Sequence, residues 1–132
     1  MKLIIVDDNP DFREALKNYL ELELNHTIIA DVSNGKEFLE LSLNDIKAAD
    51  IILMDIIMDY IGGIYTTKIA LFYYYPLRII AITNDANELK LNQLIEAGFK
   101  GFIEKKDVFI NLNDTLKRVL KGQYVFPKNL TC

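Results

Sequence analysis

A doubly wound α/β fold is predicted for this chain of 132 residues. It is a five-stranded parallel sheet in the order 2-1-3-4-5, with helices on both faces. Three observations predict it. Short apolar runs of strand length recur five times, each followed by a segment with helical spacing. The runs are apolar at consecutive positions, as strands buried on both faces are. Four of them end on residues that can do chemistry: Asp7-Asp8, Asp55, Thr83 and Lys105. Right-handed crossovers then leave few ways to connect the series.

The first strand is Leu3 to Val6, ending at Asp7-Asp8. Asn9-Pro10 reads as a helix start, with Asn9 as cap and Pro10 at the first helical position. Phe12, Ala15, Leu16, Tyr19 and Leu20 follow at helical spacing and form one apolar face. Asn25-His26 is a loop, and His26, the only histidine, is expected to be solvated. Thr27 to Val32 is the second strand, broken by Ser33-Asn34-Gly35. Asn34 with Glu37 resembles a capping box, and Phe38, Leu39 and Ser42 line a short second helix.

Ile51 to Asp55 is the third strand, and Gly62-Gly63 closes the loop behind it. A third helix runs from Ile64 to Tyr75 and stops at Pro76. Its Tyr73-Tyr74-Tyr75 run is expected to put one ring in the core and the others on the surface. Arg78 to Ile82 is the fourth strand, ending at Thr83. Asp85 and Glu88 mark the next helix start, Leu91, Leu94 and Ile95 its apolar face, and Gly98 its end. Phe99 to Glu104 is the fifth strand, ending at Lys105. A last helix near Ile110 to Lys121 carries Leu112, Leu116, Val119 and Leu120 on one side. Five strands thus alternate with five helices.

Composition narrows the function. A chain that is 51% hydrophobic and 26% charged is globular. Net charge is -4 without a block of Lys and Arg, which argues against nucleic-acid binding by this chain alone. No apolar run approaches the ~20 residues of a membrane span. Met1 to Val6 is too short for the apolar core of a signal peptide. The single cysteine, Cys132, excludes a disulfide within one chain and suits a reducing compartment. The expected location is the cytoplasm.

In open parallel sheets, ligands bind outside the carboxyl ends of the strands. In the predicted order, strands one and three are neighbours, so Asp7, Asp8 and Asp55 crowd one crevice. At ~4 Å and an effective dielectric near 20, each like-charge pair costs on the order of 4 kcal/mol. Protons or a cation must compensate. The donors on offer are carboxylate and backbone oxygens, a set that suits a hard ion such as Mg2+. Lys105 offers a mobile charge and Thr83 a hydroxyl donor. Metal, ammonium and hydroxyl together would bracket a phosphoryl group on Asp55, an aspartate acting as nucleophile.

Val6-Asp7-Asp8, Leu53-Met54-Asp55, Ile82-Thr83 and Phe102-Ile103-Glu104-Lys105 resemble the four motifs of response-regulator receiver domains of two-component signalling. The resemblance covers residues 2 to 121 and implies the flavodoxin/CheY-like form of the fold. It implies that a sensor histidine kinase phosphorylates Asp55 and that Asp7, Asp8 and Asp55 hold Mg2+ with the backbone carbonyl of Ile57. It implies that Thr83 and Lys105 contact the phosphoryl group, and that Thr83 and Phe102 form the switch, Phe102 swinging inward after phosphorylation. Such a domain is not a turnover enzyme; it catalyses only its own phosphoryl transfer and hydrolysis.

Ala97-Gly98-Phe99-Lys100-Gly101-Phe102 and Leu120 to Pro127 resemble the NarL/FixJ (LuxR-type) subgroup. That places the receiver at 1–122 and the start of a linker or tail at 123–132. It implies a transcriptional regulator that reaches DNA through a C-terminal domain if the native protein is longer, with a homodimer as a further partner. A stand-alone receiver acting through protein partners, and a degenerate receiver that takes no phosphate, are the alternatives within the family. The chain departs from the family pattern at Asp59, Gly62 and Lys106, where Pro, Asp or Asn, and Pro are usual. Asp59 is expected to face water. A haloacid-dehalogenase-like phosphatase would need Asp-x-Asp, but Asn9 and Ile57 stand two residues after Asp7 and Asp55. A dinucleotide- or flavin-binding domain would need a Gly-rich turn after the first strand, where Asp7-Asp8-Asn9-Pro10-Asp11 stands instead.

Overall fold

The computed structural model describes residues 1–74, 76–84 and 91–127. Strands β1 (Lys2–Val6), β2 (Thr27–Val32), β3 (Ile51–Asp55), β4 (Ile79–Thr83) and β5 (Gly101–Glu104) form one parallel sheet. Their order is β2-β1-β3-β4-β5, as expected. The helices are α1 (Pro10–Asn18), α2 (Gly35–Leu39), α3 (Leu43–Ala48), α4 (Gly63–Tyr74), α5 (Leu91–Ala97) and α6 (Val108–Leu120).

Successive side chains of a strand point to opposite faces, so each strand feeds two cores. Ile4, Val6, Ile52, Met54, Ile79 and Ala81 pack with Phe38, Ile46, Ala70, Leu94 and Phe99. Leu3, Ile5, Ile51, Leu53, Ile80 and Ile82 pack with Leu16, Leu20, Leu112, Leu116 and Val119. Helices α1 and α6 therefore cover one face, and α2 to α5 the other. Each core is lined by aliphatic side chains from both layers, which is why the strand segments read as unbroken apolar runs.

Six α-helices stand among the described residues, one more than expected. The second crossover holds two short helices. Ser42 does not line α2; its hydroxyl accepts the Asp45 N–H at 3.1 Å and caps α3. Phe38, Ser42 and Ile46 keep helical spacing across the break, so periodicity alone reads one helix there. The serine offers the backbone a competing partner and interrupts it. Asn34 caps α2 as expected, accepting the Glu37 N–H at 2.9 Å. Glu37 does not complete the reciprocal box; its carboxylate takes the N–H of Ser33 at 3.1 Å and that residue's hydroxyl.

Helix α1 begins on its Asn9 cap with Pro10 at the first position. Its last turn widens into a π-helix over Tyr19–Glu23, with the Leu24 N–H reaching back to the Tyr19 carbonyl. Asn25 then turns the chain at φ 58°. This reversal brings His26 back to the start of β1, where Nδ1 lies 3.0 Å from the terminal ammonium. His26 is thus half-buried rather than solvated. Burial, then the terminal ammonium and Lys117, hold its pKa below the ordinary value.

A helix on a sheet buries only a narrow stripe. Leu16 and Leu20 are buried, while Ala15 is exposed. Leu94 is buried, but Ile95 is 49% exposed; Leu120 at the end of α6 is 38% exposed. Tyr74 packs against the core and Tyr73 is exposed, while Tyr75 lies outside the described residues. The helix start expected at Asp85 and Glu88 also lies outside them. Gly98 ends α5 at φ +105°, and the Phe99 N–H closes the motif on the Leu94 carbonyl at 3.1 Å. That reversal uses Phe99 and Lys100, so β5 starts later than expected, at Gly101.

Candidate functional site

Parallel register decides which strand ends meet. Val6 pairs with Met54, so Asp7 follows beside Asp55. Asp55 pairs with Ile82, and Thr83 with Glu104, so Thr83 and then Lys105 reach past the same edge. Asp8, Asp55, Ile57, Thr83 and Lys105 line a common cleft of about 180 Å³. Asp7 does not line the cleft but is buried beside it against Lys105, 2% exposed; Asp55 is 4% exposed and Thr83 1%. Asp8 is exposed at the rim.

Local chemistry fixes each group. The Asp7 carboxylate accepts the Asn9 N–H at 2.9 Å, and the Asp7 carbonyl accepts from Arg13 Nη1 at 2.6 Å. The turn into α1 therefore holds Asp7 from both ends. Behind Asp55 the loop closes when the Gly63 N–H donates to the Ile56 carbonyl at 2.8 Å. A Cβ on Gly63 would press on the Asp55 carbonyl oxygen and lie 2.7 Å from Ile56 Cα. Only glycine lets α4 start that close to Asp55. Asp59 on this loop is exposed and faces water, as expected.

Asp7, Asp8 and Asp55 each offer a carboxylate oxygen, all within 4.8 Å of one another. All three donors are hard oxygens, which fits a cation of the Mg2+ type. Lys105 partly answers the charge: its Nζ lies 2.9 Å from Asp7 Oδ2 and 3.5 Å from Asp55 Oδ2. The compensation is incomplete. The Asp55 pKa is raised from its ordinary 3.8 to about 7, by burial first and then by the Asp7 charge. Lys105 opposes the rise, Asp8 adds to it, and a hydrogen bond from the Ile57 backbone lowers it slightly. The edge thus brings a buried carboxylate, two further carboxylates, a hydroxyl and an ammonium to one place.

Phe102 is not in the cleft. Its ring is 2% exposed and packs in the core with Ala81 and Phe99. The inward position expected only after phosphorylation is already taken. The backbone here is also tied down: the Phe102 N–H donates to the Val125 carbonyl at 3.0 Å and Val125 bridges to Gly101. Phe126 packs against the same core. The strand-end residues were legible in sequence; Phe12, whose ring lies beside Lys105, was not. Helical spacing marked it only as core.

Residues 3–117 match the family model described as the response regulator receiver domain. The chain belongs to the response-regulator receiver family. A nitrate/nitrite response regulator protein homolog of Haemophilus influenzae is 28% identical over 130 residues, covering 98% of this chain and 62% of that protein. The transcriptional regulatory protein DegU of Brevibacillus brevis is 27% identical, covering 97% of this chain and 54% of that protein. This receiver spans less than two thirds of these curated relatives. Among solved structures, a LuxR-family two-component response regulator from Aurantimonas superposes with a TM-score of 0.84 at 22% identity, covering 98% of this chain and 91% of that one. The signal receiver domain of a NarL response regulator from Mycobacterium tuberculosis gives 0.81 at 23%, covering 92% and 97%. The relatives and neighbours fall in the LuxR/NarL group, as the motifs implied. No helix among the described residues is long and apolar enough to cross a membrane.

Proposed function

We propose that this receiver is a phosphorylation-dependent switch that accepts a phosphoryl group from a sensor histidine kinase onto Asp55. The observation that carries the reading is the buried Asp55 carboxylate, ringed by Asp7, Asp8, Thr83 and Lys105 at one sheet edge. An Asp55 oxygen attacks phosphorus. The phosphorus–nitrogen bond of the phosphohistidine breaks, and its electron pair leaves with the imidazole. Lys105 and Thr83 stand where they would donate to the oxygens of the transferred group.

Asp7, Asp8, Asp55 and the Ile57 carbonyl are the residues that would hold Mg2+. A bound ion would supply positive charge there, offsetting the burial and the Asp7 and Asp8 charges that favour a proton on Asp55. The cleft of about 180 Å³ is below the ~300 Å³ where small-molecule pockets begin, which disfavours a dinucleotide or flavin. Lys105 bridging two carboxylates, with Thr83 beside them, favours a working site over a degenerate one.

The domain turns over no separate substrate. Phosphate on Asp55 adds charge and acceptors that engage the Thr83 hydroxyl. Since Phe102 is already inside, the response passes through β5, which pairs with the strand of Thr83 and is tied to Val125 by the Phe102 N–H. The output is transcriptional: 1–122 regulates, 123–132 begins a linker or tail, and, if the native protein is longer, a homodimer in the cytoplasm reaches DNA through a C-terminal domain. The names of the relatives support that output.

Intact mass after incubation with a small-molecule phosphodonor and Mg2+ tests the reading. Wild type gains one phosphoryl group and Asp55→Asn gains none. Equal gain in both, or none in wild type, refutes it.

A further inference from the structure

Lys105 has a third neighbour that is neither a carboxylate nor a phosphate site. Its Nζ lies 4.5 Å from the centroid of the Phe12 ring. A cation within ~6 Å of a ring centroid is attracted by the negative face of the ring, more strongly where water is excluded. The Lys105 side chain is only 8% exposed, so water is largely excluded here. The ring in turn is held. The Phe12 N–H donates to the Asn9 cap at 3.1 Å, which fixes its place in the first turn of α1. Its ring packs against Phe109 at 6.4 Å. Phe109 meets Tyr19 edge-on at 5.1 Å, and the Tyr19 hydroxyl donates to the Phe109 carbonyl at 3.2 Å.

We propose that Phe12 is a positioning residue for phosphoryl transfer, its ring face holding the Lys105 ammonium between Asp7 and Asp55. The inference rests on the phosphoacceptor reading above and deepens it. A lysine is a point charge on a flexible stem, and strand β5 ends at Glu104, one residue before it. The two carboxylates pull the ammonium unequally, with Asp7 at 2.9 Å and Asp55 at 3.5 Å. Left to them, it stays with Asp7. The ring attracts the ammonium without accepting its directed hydrogen bonds, so the N–H donors stay free for carboxylate and phosphoryl oxygens. A leucine of similar bulk would fill the space and supply no such field.

The test uses the whole chain as wild type, Phe12→Leu and Phe12→Tyr. Proton NMR reads the Lys105 ε-methylene, and intact mass reads the rate of Asp55 phosphorylation by a small phosphodonor with Mg2+. In wild type the ε-methylene is shifted upfield by the ring current, and in Phe12→Leu the shift is lost. Phosphorylation slows about five- to tenfold in Phe12→Leu and returns to within about twofold of wild type in Phe12→Tyr. An ordinary ε-methylene shift in wild type overturns the proposal whether or not any variant folds. So does a wild-type rate in Phe12→Leu, or equal slowing in both variants, which marks a packing role only. A wild type that takes no phosphoryl group refutes the phosphoacceptor reading instead, while the NMR measurement still decides whether the ring holds Lys105.

Discussion

Replacing Asp55 by Asn should make the fold more stable above neutral pH, and by an amount that disappears in acid. The Asp55 carboxyl titrates near its ordinary 3.8 when unfolded and at about 7 in the fold. At about 1.4 kcal/mol per tenfold change in proton affinity, the ionised carboxylate costs the fold about 4 kcal/mol. The sign follows from proton counts. Below pH 3.8 the group is protonated in both states and costs nothing. Between 3.8 and about 7 the unfolded chain binds fewer protons than the folded one, so stability falls as pH rises. Above about 7 both states are ionised and the full cost is present. Asn keeps the shape without the charge, though its amide meets the Lys105 ammonium less well. The net gain expected for Asp55→Asn in EDTA at pH 8.5 is therefore about 2–4 kcal/mol, falling toward zero at pH 4. Urea denaturation of both proteins across that range measures it. A difference that stays flat with pH would mean Asp55 ionises in the fold without penalty, and the crowding of Asp7, Asp8 and Asp55 would not be the organising feature of the site.

Millimolar Mg2+ should raise the melting temperature of wild type relative to EDTA, since a ligand at ~100 times its dissociation constant adds about 2.7 kcal/mol. The rise should be smaller in Asp7→Asn, which scanning calorimetry checks. Gly63→Ala should cost about 2–3 kcal/mol, because the new methyl meets the backbone of Asp55 and Ile56 rather than a movable side chain. It should also slow phosphorylation by displacing Asp55, and the same urea and mass assays read both effects. Asn9→Ala should cost about 1 kcal/mol by leaving the Asp11 and Phe12 N–H groups uncapped, whereas Asn9→Asp should keep most of the stability. This chain should show no salt-sensitive binding to duplex DNA in a fluorescence anisotropy titration, given its net charge of -4.

The sequence alone determined the strands and the residues at their ends. Five apolar runs and five strands agree, and β2 and β3 agree to the residue. Strands buried on both faces need consecutive aliphatic residues, whereas the longer apolar run from Ile69 to Tyr74 is rich in aromatic rings and lies in α4. Because parallel strands put chemistry at their carboxyl ends, Asp7, Asp8, Asp55, Thr83 and Lys105 could be gathered before any geometry was known.

Tertiary structure decided what depends on neighbours distant in sequence. The break at Ser42 is a contest between helix hydrogen bonds and one side-chain oxygen, which apolar spacing does not register. His26 is polar and stands in a loop, yet a widened helix turn carries it back against the chain's first residue. The Phe102 ring packs in the core with Ala81 and Phe99, and its backbone pairs with Val125, contacts that no periodicity encodes. The contact of Phe12 with Lys105 joins the first helix to the end of the last strand. In sequence these are an apolar helix residue and a lysine far downstream. Only the closing of the sheet brings a ring face beneath an ammonium, because the attraction between them acts over a few ångströms and has no signature along the chain.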